Sequence, residues 1–469
     1  MRRLLLILAL ASLGASPVMA SAVHLERAAV ERALRDLPPA AGPLALAAAV
    51  PVRLGLAEGR WQTLGDQARW TLTLSSPGAT LLIVHFDRLR LPAGSQLWLQ
   101  DARGGNRQGP YSAADLDPQG GLWAPVIPGE QLQIELAVPA AARDAVQLSI
   151  DRVDHGRLRF GQVRGETVPA KSGSCNIDVA CPEAAAWADP IRASVHLQIP
   201  TLTGTLLCSG TLMNNSRQDG SPLILSADHC DINATNAASL RAYFNYQTSS
   251  CGGSPDGSLA QNLSGATLLA RDSRSDFTLV RMNTPPPAAF NAFYAGYNAS
   301  GSGSASGAGI HHPSGDEKRI SFFNRPLRPR QANIDGRLVE AWEVVWARGV
   351  TEQGSSGSAL FNGSRQVVGV LSGGLSSCAN PAGEDYYGRL DVAWANGLRP
   401  HLDPAGTGNP VLGGRNPDGS GGDPGAPAGS GGGGGGGLGS LLPGLLAALI
   451  ARRAWRGAAR ESAGPAAGR

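Results

Sequence analysis

The sequence predicts an all-β protein in which two β-rich regions follow each other along the 469-residue chain. Many short segments alternate apolar and polar residues, as half-buried strands do, and no long helical period interrupts them. Glycine and proline separate these segments at short intervals, which is typical of antiparallel sandwiches and barrels. All six cysteines lie between residues 175 and 378, so one of the two regions carries the disulfides.

Length and composition narrow the classes of function. At about 100–200 residues per domain, the length predicts two or three domains. Charged residues make up 16% of the chain and the formal net charge is +3. This balance gives no indication of a nucleic-acid partner, and we expect none.

The first twenty residues are typical of an export signal. Arg2 and Arg3 precede an apolar stretch at residues 4–13, and small residues lead to a cleavage site after Ala20. The apolar stretch is too short to span a bilayer comfortably. We therefore expect residues 1–20 to be removed and the protein to be secreted into an oxidising compartment, where disulfides persist.

Residues 21–171 form the first β-rich region. A short amphipathic helix is predicted at residues 22–37, ended by two prolines. Strands are predicted at residues 69–74, 81–86, 96–100, 131–137 and 146–151. Together they predict a small β-sandwich. His85 and His155 have no partner motif, and we interpret both as structural.

Residues 172–405 form the second β-rich region. Strands are predicted at residues 195–199, 204–213, 222–226, 240–246, 277–282 and 367–371. The cysteines are Cys175, Cys181, Cys208, Cys230, Cys251 and Cys378. Six cysteines in an exported chain predict three disulfides, with fifteen connectivities open. No CxxC pair is present, and we expect neither a metal nor a cofactor.

The C-terminal part differs in composition. Residues 406–437 are rich in Gly, Pro, Asp and Ser and predict a linker that cannot bury enough apolar area to order itself. In residues 438–469, an apolar stretch of fourteen residues at 438–451 precedes an arginine cluster. This layout resembles bacterial C-terminal sorting signals and predicts transient attachment to the membrane or cell surface, although the apolar run is marginal as a span. An unstructured tail is the alternative.

A Gly-Ser-Ser-Gly-Ser string at residues 354–358 is the first chemical motif. A nucleophilic serine needs a tight, glycine-flanked turn, which exposes its hydroxyl and aims backbone N–H groups at a developing oxyanion. We assign Ser356 as the candidate nucleophile and the N–H groups of Gly354 and Ser356 as the candidate oxyanion hole. Such turns are common in this chain, so the string alone is weak evidence.

Two further motifs supply a base and an acid. His229 directly follows a predicted strand and precedes Cys230, whose disulfide would fix the loop. Asp276 heads the apolar strand at 277–282, where it can accept the imidazole N–H and fix the tautomer. Asp272 is the competing acid, but it does not lead directly into that strand.

The chain order of these residues is His229, Asp276, Ser356, which is the order of chymotrypsin-like proteases and differs from those of subtilisins and α/β-hydrolases. We therefore predict a chymotrypsin-like double β-barrel protease domain preceded by the small sandwich. Ser356 would form an acyl-enzyme, His229 would take and return the proton, and Asp276 would orient His229. Because His229 acts as a neutral base, activity should fall as the pH drops below about 6–7.

Residues 172–405 also resemble the bacterial lysyl endopeptidases, secreted proteases of this fold that cleave after lysine. The matching stretches are residues 172–178, 227–230, 244–247, 275–278, 310–313, 317–321, 350–352, 354–358 and 387–389. The resemblance implies the disulfides Cys175–Cys378, Cys181–Cys251 and Cys208–Cys230. It also implies a mature enzyme that begins near Ser172, so that residues 21–171 are a propeptide acting as chaperone or inhibitor.

The resemblance places the acid of the substrate pocket at Asp385, before Tyr-Gly-Arg. Trypsin-like enzymes carry an Asp six residues before the nucleophile, and in this chain that position is occupied by Val350. A buried carboxylate facing a lysine ammonium would give strong charge selection. The substrate-binding residues are then Asp385, Ser372, Gly373 and Gly374, with Glu384 and Glu352 as fallback acids. A loop Asp in a polar turn is the alternative.

The chain departs from the family pattern near this pocket. The family has a His where this chain has Ser372, and a Trp in a loop that is shorter here. Trp342 is the nearest candidate for that Trp, whereas Trp346 matches a different one. These departures leave arginine open as a second accepted residue. Ser355 stands where pancreatic-type enzymes have the Asp that pairs with the new N-terminus, so the propeptide must act in another way.

Only Lys171 and Lys318 are lysines among the 40 basic residues. This bias fits a GC-rich genome, and it also fits a lysine-directed protease that avoids its own target. Self-cleavage after Lys171 would release the propeptide. We expect a monomer whose partners are protein or peptide substrates and its own propeptide.

Two rival functions are open. One is a non-catalytic surface protein that keeps the protease fold for binding. The other is a metalloprotease that uses His311 and His312. It is disfavoured because no HExxH motif is present and because adjacent residues on a strand point in different directions.

Overall fold

The computed structural model describes residues 22–38, 43–117, 119–160 and 172–420. The predicted export signal with Ala20, the processing residue Lys171 and the tail at 438–469 lie outside these residues. Among the described residues, no helix combines the length and the apolar character that crossing a membrane requires.

The N-terminal region contains one α-helix, α1 (Arg27–Arg35), within its described part. Its strands are β1 (Val23–His24), β2 (Leu44–Gly55), β3 (Arg60–Leu64), β4 (Gln67–Ser75), β5 (Leu81–Arg90), β6 (Gln96–Asp101), β7 (Gln108–Tyr111), β8 (Leu122–Trp123), β9 (Ile127–Pro128), β10 (Gln131–Pro139) and β11 (Gln147–Gly156). Short 3₁₀ turns lie at Leu56–Glu58, Ala113–Asp115 and Ala140–Ala145.

These strands form the predicted sandwich. One sheet has the order β1-β4-β10-β6-β7, with β3 on β4. The other face is built from β2, β11 and β5, with β8 and β9 on β5. Alternate residues of both faces, such as Leu72, Ile134 and Val84, are buried in one shared apolar cluster. Period-two burial on both faces is what packs two sheets together.

The second region contains the helical segments α2 (Ala188–Ala193), α3 (Leu390–Ala393) and α4 (Arg399–Leu402), with a π-turn at Trp394–Leu398. Its strands are β12 (Ile177–Asp178), β13 (Ser194–Pro200), β14 (Gly204–Met213), β15 (Leu223–Ser226), β16 (Arg241–Phe244), β17 (Asn262–Ser264), β18 (Ala266–Asp272), β19 (Phe277–Met282), β20 (Tyr297–Asn298), β21 (Gly307–His311), β22 (Arg319–Phe323), β23 (Arg328–Ile334), β24 (Arg337–Val345), β25 (Ala359–Asn362), β26 (Val367–Gly374), β27 (Glu384–Arg389) and β28 (Val411–Leu412). Further 3₁₀ turns lie at Pro182–Trp187, Asp228–Cys230, Ala237–Ser239, Ala288–Phe290 and Pro313–Gly315.

These strands form two antiparallel sheets that are consecutive in the sequence. The first runs β17-β16-β13-β14-β15-β19-β18, and the second runs β12-β22-β21-β25-β26-β27-β24-β23. Apolar residues of both sheets, including Leu225, Leu279, Ile310 and Val370, are buried in one core cluster. The architecture is the predicted pair of β-barrels, with the cleft between them.

Each strand predicted from the sequence overlaps an observed strand. The predicted helix at 22–37 is shorter, because Val23 and His24 pair with β4 and the helix begins only at Arg27. Hydrophobic periodicity does not distinguish a first helical turn from a short extended segment.

The two regions are more continuous than the sequence indicated. Strand β2 of the N-terminal region pairs antiparallel with β14 of the first barrel, with Leu44 opposite Leu207 and Ala48 opposite Gly204. The sandwich sheet that contains β2, β11 and β5 is therefore continuous with the sheet of the first barrel. Pairing between distant segments leaves no local signal in the sequence, so this junction was not predicted.

The second barrel also continues past residue 405, where the sequence indicated the start of a linker. Val411 and Leu412 form β28 on β20, and Tyr294 pairs with Arg415. Leu412 and Arg415 are buried. The described part of the predicted linker, residues 406–420, therefore packs on the barrel, with Leu412 as a buried apolar side chain. The average composition of residues 406–437 is polar and gave no indication of this single apolar contact.

Candidate active site

His229 and Asp276 meet at the edge of the first barrel. His229 Nδ1 lies 2.8 Å from Asp276 Oδ2, and the backbone N–H of His229 donates to Asp276 Oδ1 at 2.9 Å. The carboxylate therefore holds both the ring and the backbone of the histidine. The arrangement leaves Nε2 directed away from the acid, which is the orientation that a general base requires.

The position of His229 follows from the strand that precedes it. Strand β15 ends at Ser226, and a 3₁₀ turn at Asp228–Cys230 directs the chain out of the sheet. The Cys208–Cys230 disulfide ties this turn to β14. The Ser226 hydroxyl adds a hydrogen bond to Ser209 O at 2.8 Å. The histidine is thus held on a short, cross-linked turn.

Asp276 lies just before β19 and is 1% exposed. Burial by itself would raise its pKa. The charge and hydrogen bonds of His229 and the Arg337 guanidinium outweigh burial and hold the pKa of Asp276 below its usual range. The carboxylate is therefore ionised when it faces the imidazole. The competing acid, Asp272, instead accepts the backbone N–H and hydroxyl of Ser275.

Ser356 lies on a sharp turn of the second barrel. Gly354 and Gly357 on either side have φ values of +89° and +82°, which favour glycine. A Cβ added to Gly357 would overlap the Ser226 hydroxyl, and one added to Gly354 would lie 2.9 Å from His312 O. The turn therefore needs glycine for both conformation and space.

The backbone N–H groups of residues 354–357 differ in whether they have a hydrogen-bond acceptor. The N–H groups of Ser355 and Gly357 bond to Glu352 O and Leu371 O. Among the described residues, no acceptor is found for the N–H groups of Gly354 and Ser356. Two neighbouring free donors beside the serine are the arrangement that an oxyanion hole requires.

Ser356 and His229 line the same cavity of about 430 Å³. No hydrogen bond joins the Ser356 hydroxyl to the His229 ring among the described residues. Hydrogen bonds between nucleophile and base are often long in the absence of substrate and shorten when it binds. The structure thus brings Ser356 to the same cleft as the His229–Asp276 pair, one from each barrel.

Sequence reasoning missed the supporting role of His311. Its ring bonds to the hydroxyls of Ser355 at 2.8 Å and Ser321 at 3.1 Å, behind the Ser356 turn. Burial lowers the pKa of His311 to about 3, so the ring stays neutral. His312 makes separate contacts, with its N–H on Ser209 Oγ and its ring on Asp316 O. No cluster of metal-ligating side chains is found in the part of the chain that the structure describes.

The cavity extends from Ser356 to a floor near Asp385. Its lining residues are His229, Asp335, Thr351, Glu352, Gln353, Ser356, Leu371, Ser372, Gly373, Gly374, Ser376 and Ser377. Asp385 is not among them and is fully buried beneath Thr351 and Ser376.

The Asp385 carboxylate is saturated with donors. Oδ2 accepts the hydroxyls of Thr351 at 2.7 Å and Ser376 at 2.6 Å and the Trp346 indole N–H at 2.6 Å. Burial is the largest influence and raises the pKa of Asp385 above its usual range, against the lowering effect of these bonds. Thr351 and Ser376 donate their single hydroxyl hydrogens to Asp385, and Ser376 Oγ also accepts the Thr351 N–H at 2.9 Å. The two hydroxyl oxygens therefore have only their remaining lone pairs for a further partner.

The other predicted pocket residues have distinct environments. A Cβ on Gly374 would overlap Asp385 Oδ1, so a larger residue would disrupt the floor. Glu352 lines the cavity, but its carboxylate accepts from Gly173, Asn176 and Ser314. Glu384 lies next to Asp385 on β27, where strand alternation directs its side chain to the other face.

Ser372 stands at the position where the family has a His, and Trp342 and Trp346 are the tryptophans compared with the family's Trp. The Ser372 side chain is 2% exposed. Trp342 is buried and its indole N–H donates to Val368 O at 3.1 Å, away from the cleft. Trp346 is the tryptophan whose indole N–H donates to Asp385. Neither indole stacks on the His229 ring.

The second region contains three disulfides, Cys175–Cys378, Cys181–Cys251 and Cys208–Cys230. These are the pairs that the family resemblance implies. Cys175–Cys378 joins the segment after Ser172 to the loop beyond β26, so it secures the start of this region beside the cavity.

Asp316 contacts the first residue of the second region, and the sequence analysis did not recognise this contact. The backbone N–H and hydroxyl of Ser172 donate to Asp316 Oδ2 at 3.1 Å and 2.7 Å. Gly173 N–H donates to Glu352 at 2.9 Å. Ser314, two residues before Asp316, bonds to both Gln353 O and Glu352. The start of this region is therefore tied to the loop that leads into the Ser356 turn.

Two β-barrels, with a His–Asp pair from one and a glycine-flanked serine turn from the other, define the fold class of chymotrypsin-like serine proteases. The lysyl endopeptidase C-terminal domain family matches residues 169–388, and the lysyl endopeptidase N-terminal domain family matches residues 44–157. Together the two matches cover more than two thirds of the chain. The chain therefore belongs to the lysyl endopeptidase family.

A curated relative supports the same assignment. A lysyl endopeptidase of Pseudomonas aeruginosa is 32% identical over 292 residues, which are 59% of this chain. The match spans 62% of the length of that relative.

Solved structures with a similar arrangement include other serine proteases. An HtrA-type protease, AlgW, with a tripeptide has a TM-score of 0.34 at 13% identity, over 48% of this chain and 65% of that one. The thermostable serine protease AL20 has a TM-score of 0.34 at 16% identity, over 47% and 99%.

Proposed function

We propose that this protein is the precursor of a secreted serine endopeptidase that cleaves after lysine, with His229, Asp276 and Ser356 as the catalytic triad. The single observation that carries the proposal is the His229–Asp276 pair at 2.8 Å facing the cavity that holds Ser356. The proposal of export rests on the sequence signal at residues 1–20, and the proposal of transient membrane or surface attachment rests on the segment at residues 438–469.

The geometry supports acyl transfer. His229 takes the proton of the Ser356 hydroxyl as the oxygen attacks the peptide carbonyl, and returns it to the leaving amine. The free N–H groups of Gly354 and Ser356 stabilise the oxyanion that develops. Asp276 remains ionised and stabilises the imidazolium. Water then attacks the acyl-enzyme with His229 again as the base, and the proton returns to Ser356.

The pocket floor supports selection of lysine. Its ammonium brings three donors, and the Thr351 and Ser376 oxygens offer lone pairs because their hydrogens bind Asp385. The buried negative charge of Asp385 beneath them favours a cation over an apolar side chain. An arginine side chain is longer and planar, so the same floor admits it less well but does not exclude its charge.

The distribution of lysines supports self-processing after Lys171. Lys318, the other lysine of the sequence, is 0% exposed and its ammonium donates to Ile191 O at 2.7 Å. Lys318 is therefore inaccessible in the folded protein. Cleavage after Lys171 would leave Ser172 as the new N-terminus, already held by Asp316.

The N-terminal region is suited to act as an inhibitor. Leu44, at the start of β2, lies 3.1 Å from the position of a Cβ on Gly354, next to the candidate oxyanion hole. Pro38, Pro43 and Trp123 line a cavity of about 570 Å³ that His229 also lines. The region therefore occupies space beside His229 and beside the Gly354 turn, where it would hinder access of a substrate to the cleft.

Phe160 anchors this region on the first barrel, and its removal should weaken the association. The ring is 1% exposed, 5.0 Å from that of Tyr243 and 4.8 Å from that of Tyr246. A buried Phe→Ala change costs about 3–5 kcal/mol, so Phe160→Ala should weaken binding of the cleaved region by about 10²-fold or more. Gel filtration after processing measures this.

The matched control is Leu64→Ala, because Leu64 is 41% exposed on β3, outside the interface. We expect the N-terminal region to co-elute with the barrels in the parent protein and in Leu64→Ala, and to separate in Phe160→Ala. Co-elution in all three proteins would contradict the anchoring role.

A serine-directed organophosphorus inhibitor tests the proposed function against the non-catalytic rival. An activated serine reacts covalently, whereas ordinary serines do not. We expect peptide mapping to find the adduct on Ser356 alone, and Ser356→Ala to remain unlabelled. A processed protein that begins at Ser172 and is not labelled would favour the binding protein instead.

A further inference from the structure

The hairpin of β23 and β24 brings a cation onto the Asp276 carboxylate. Arg337 Nη1 lies 3.0 Å from Asp276 Oδ2, and Arg337 Nη2 donates to Ser372 O at 3.4 Å. The Arg337 side chain is 27% exposed, whereas that of Asp276 is 1% exposed. The buried carboxylate therefore lies between the His229 imidazole and a guanidinium.

The local backbone fixes the position of Arg337. Asp335 and Gly336 join the two strands with φ values of +51° and +82°, and Ile334 pairs with Arg337. A two-residue loop with both φ values positive is a type I′ turn, whose twist matches that of the strands. Arg337 is thus the first strand residue after a tight turn.

The same hairpin contacts the loop that carries Asp276. Glu340 N–H donates to Arg274 O at 2.8 Å, and the Arg274 guanidinium lies 3.7 Å from the Glu340 carboxylate. On its other face, Ile334 lies 2.9 Å from the position of a Cβ on Gly373. The hairpin of the second barrel therefore bridges the acid of the first barrel and the wall of the substrate cavity.

We propose that Arg337 is a positioning residue of the His229–Asp276 pair, which holds the Asp276 carboxylate toward the imidazole and sets the pH range in which His229 accepts a proton. The inference rests on the proposed function, because it assigns His229 the role of base. It concerns a side chain that acts through Asp276 and need not touch the substrate.

The physical reason is the balance of charge on Asp276. An ionised carboxylate stabilises the imidazolium, and a cation on the same carboxylate offsets part of that stabilisation. Arg337 should therefore keep His229 neutral down to lower pH. Other charged groups near His229 are Asp228 with its partner Arg271, Asp231, Asp335, Glu352 and Arg152. Within the described residues, Arg337 is the cation in contact with Asp276.

The pH dependence of kcat/KM for a lysine-containing peptide tests the proposal, in the parent protein and in Arg337→Gln, Arg337→Lys and Arg337→Met. In Arg337→Gln we expect the midpoint of the acid limb to rise by about 0.5–1 pH unit. The plateau kcat should fall about 10-fold with KM changed less than about twofold, because the pair is less well oriented. Arg337→Met, which keeps the aliphatic stem, should show the same shift, and Arg337→Lys should keep the parent midpoint.

Arg330→Gln is the matched control, because Arg330 lies on the same hairpin but pairs with Glu343 at its exposed edge. Titration of the His229 ring by NMR in Ser356→Ala provides a second readout that requires no hydrolysis, with the same shift expected on Arg337→Gln. Coincident profiles for Arg337→Gln, Arg330→Gln and the parent would overturn the proposal, as would an equal shift in Arg337→Lys. If the parent hydrolyses no peptide, the proposed function fails, and the NMR titration still decides the role of Arg337.

Discussion

Replacing Ser356 by alanine is expected to lower kcat/KM for a lysine-containing peptide by about 10⁴–10⁶-fold. The hydroxyl is the group that forms the acyl-enzyme, and no neighbouring side chain can replace it in that position. Ser355 is occupied with His311 and Glu352, and Ser358 is buried behind the turn. The free N–H groups of Gly354 and Ser356 would leave only a small residual rate.

Steady-state hydrolysis of a fluorogenic peptide measures this loss. Ser364→Ala is the matched control, because Ser364 lies on an exposed turn of the same barrel. We expect Ser364→Ala to behave as the parent protein. His229→Ala combined with Ser356→Ala should be no slower than either single variant, because the two residues act as one unit. A Ser356→Ala protein with parent activity would exclude the triad.

Replacing Asp385 by asparagine is expected to lower kcat/KM for lysine peptides by about 10²–10⁴-fold, with alanine peptides changed by less than about threefold. The substitution keeps the shape of the buried group and removes its charge. A lysine ammonium would then enter a floor of Thr351 and Ser376 oxygens with no anion beneath it, so its desolvation would not be compensated.

The ratio of lysine to alanine hydrolysis is the informative quantity, because it separates specificity from a general loss of structure. Glu384→Gln removes a neighbouring charge on the same strand and should leave the ratio unchanged. Ser376→Ala keeps the charge but removes one acceptor and should lower the ratio about 10-fold. A ratio in Asp385→Asn equal to that of the parent would show that another group selects the substrate.

The residues of the proposed triad were recognisable in the sequence because each has a local signature. His229 follows a strand, Asp276 precedes one, and Ser356 lies between glycines. The order of the three residues along the chain then distinguished chymotrypsin-like proteases from subtilisins and α/β-hydrolases. The strands were predictable for a similar reason, since alternation of apolar residues is a property of each segment alone.

The parts that were not predicted depend on contacts between distant segments. The pairing of β2 with β14 and the contact of Ser172 with Asp316 join residues far apart in the chain. Arg337 is one arginine among many in the sequence. It reaches Asp276 only because the β23–β24 hairpin packs against the first barrel. Composition likewise assigned residues 406–420 to a linker, although Leu412 packs on the second barrel.

Cleavage of three peptides that differ only in having Lys, Arg or Ala before the scissile bond tests the central claim most directly. The experiment uses protein processed to a verified N-terminus at Ser172 and freed of the cleaved N-terminal region, beside a Ser356→Ala variant that is processed by added parent enzyme and purified in the same way. The account predicts hydrolysis after Lys at least about 10²-fold faster than after Ala, hydrolysis after Arg no faster than after Lys, and none in the variant. Equal hydrolysis after Lys and Ala, or no hydrolysis of any peptide by the processed protein, would contradict it.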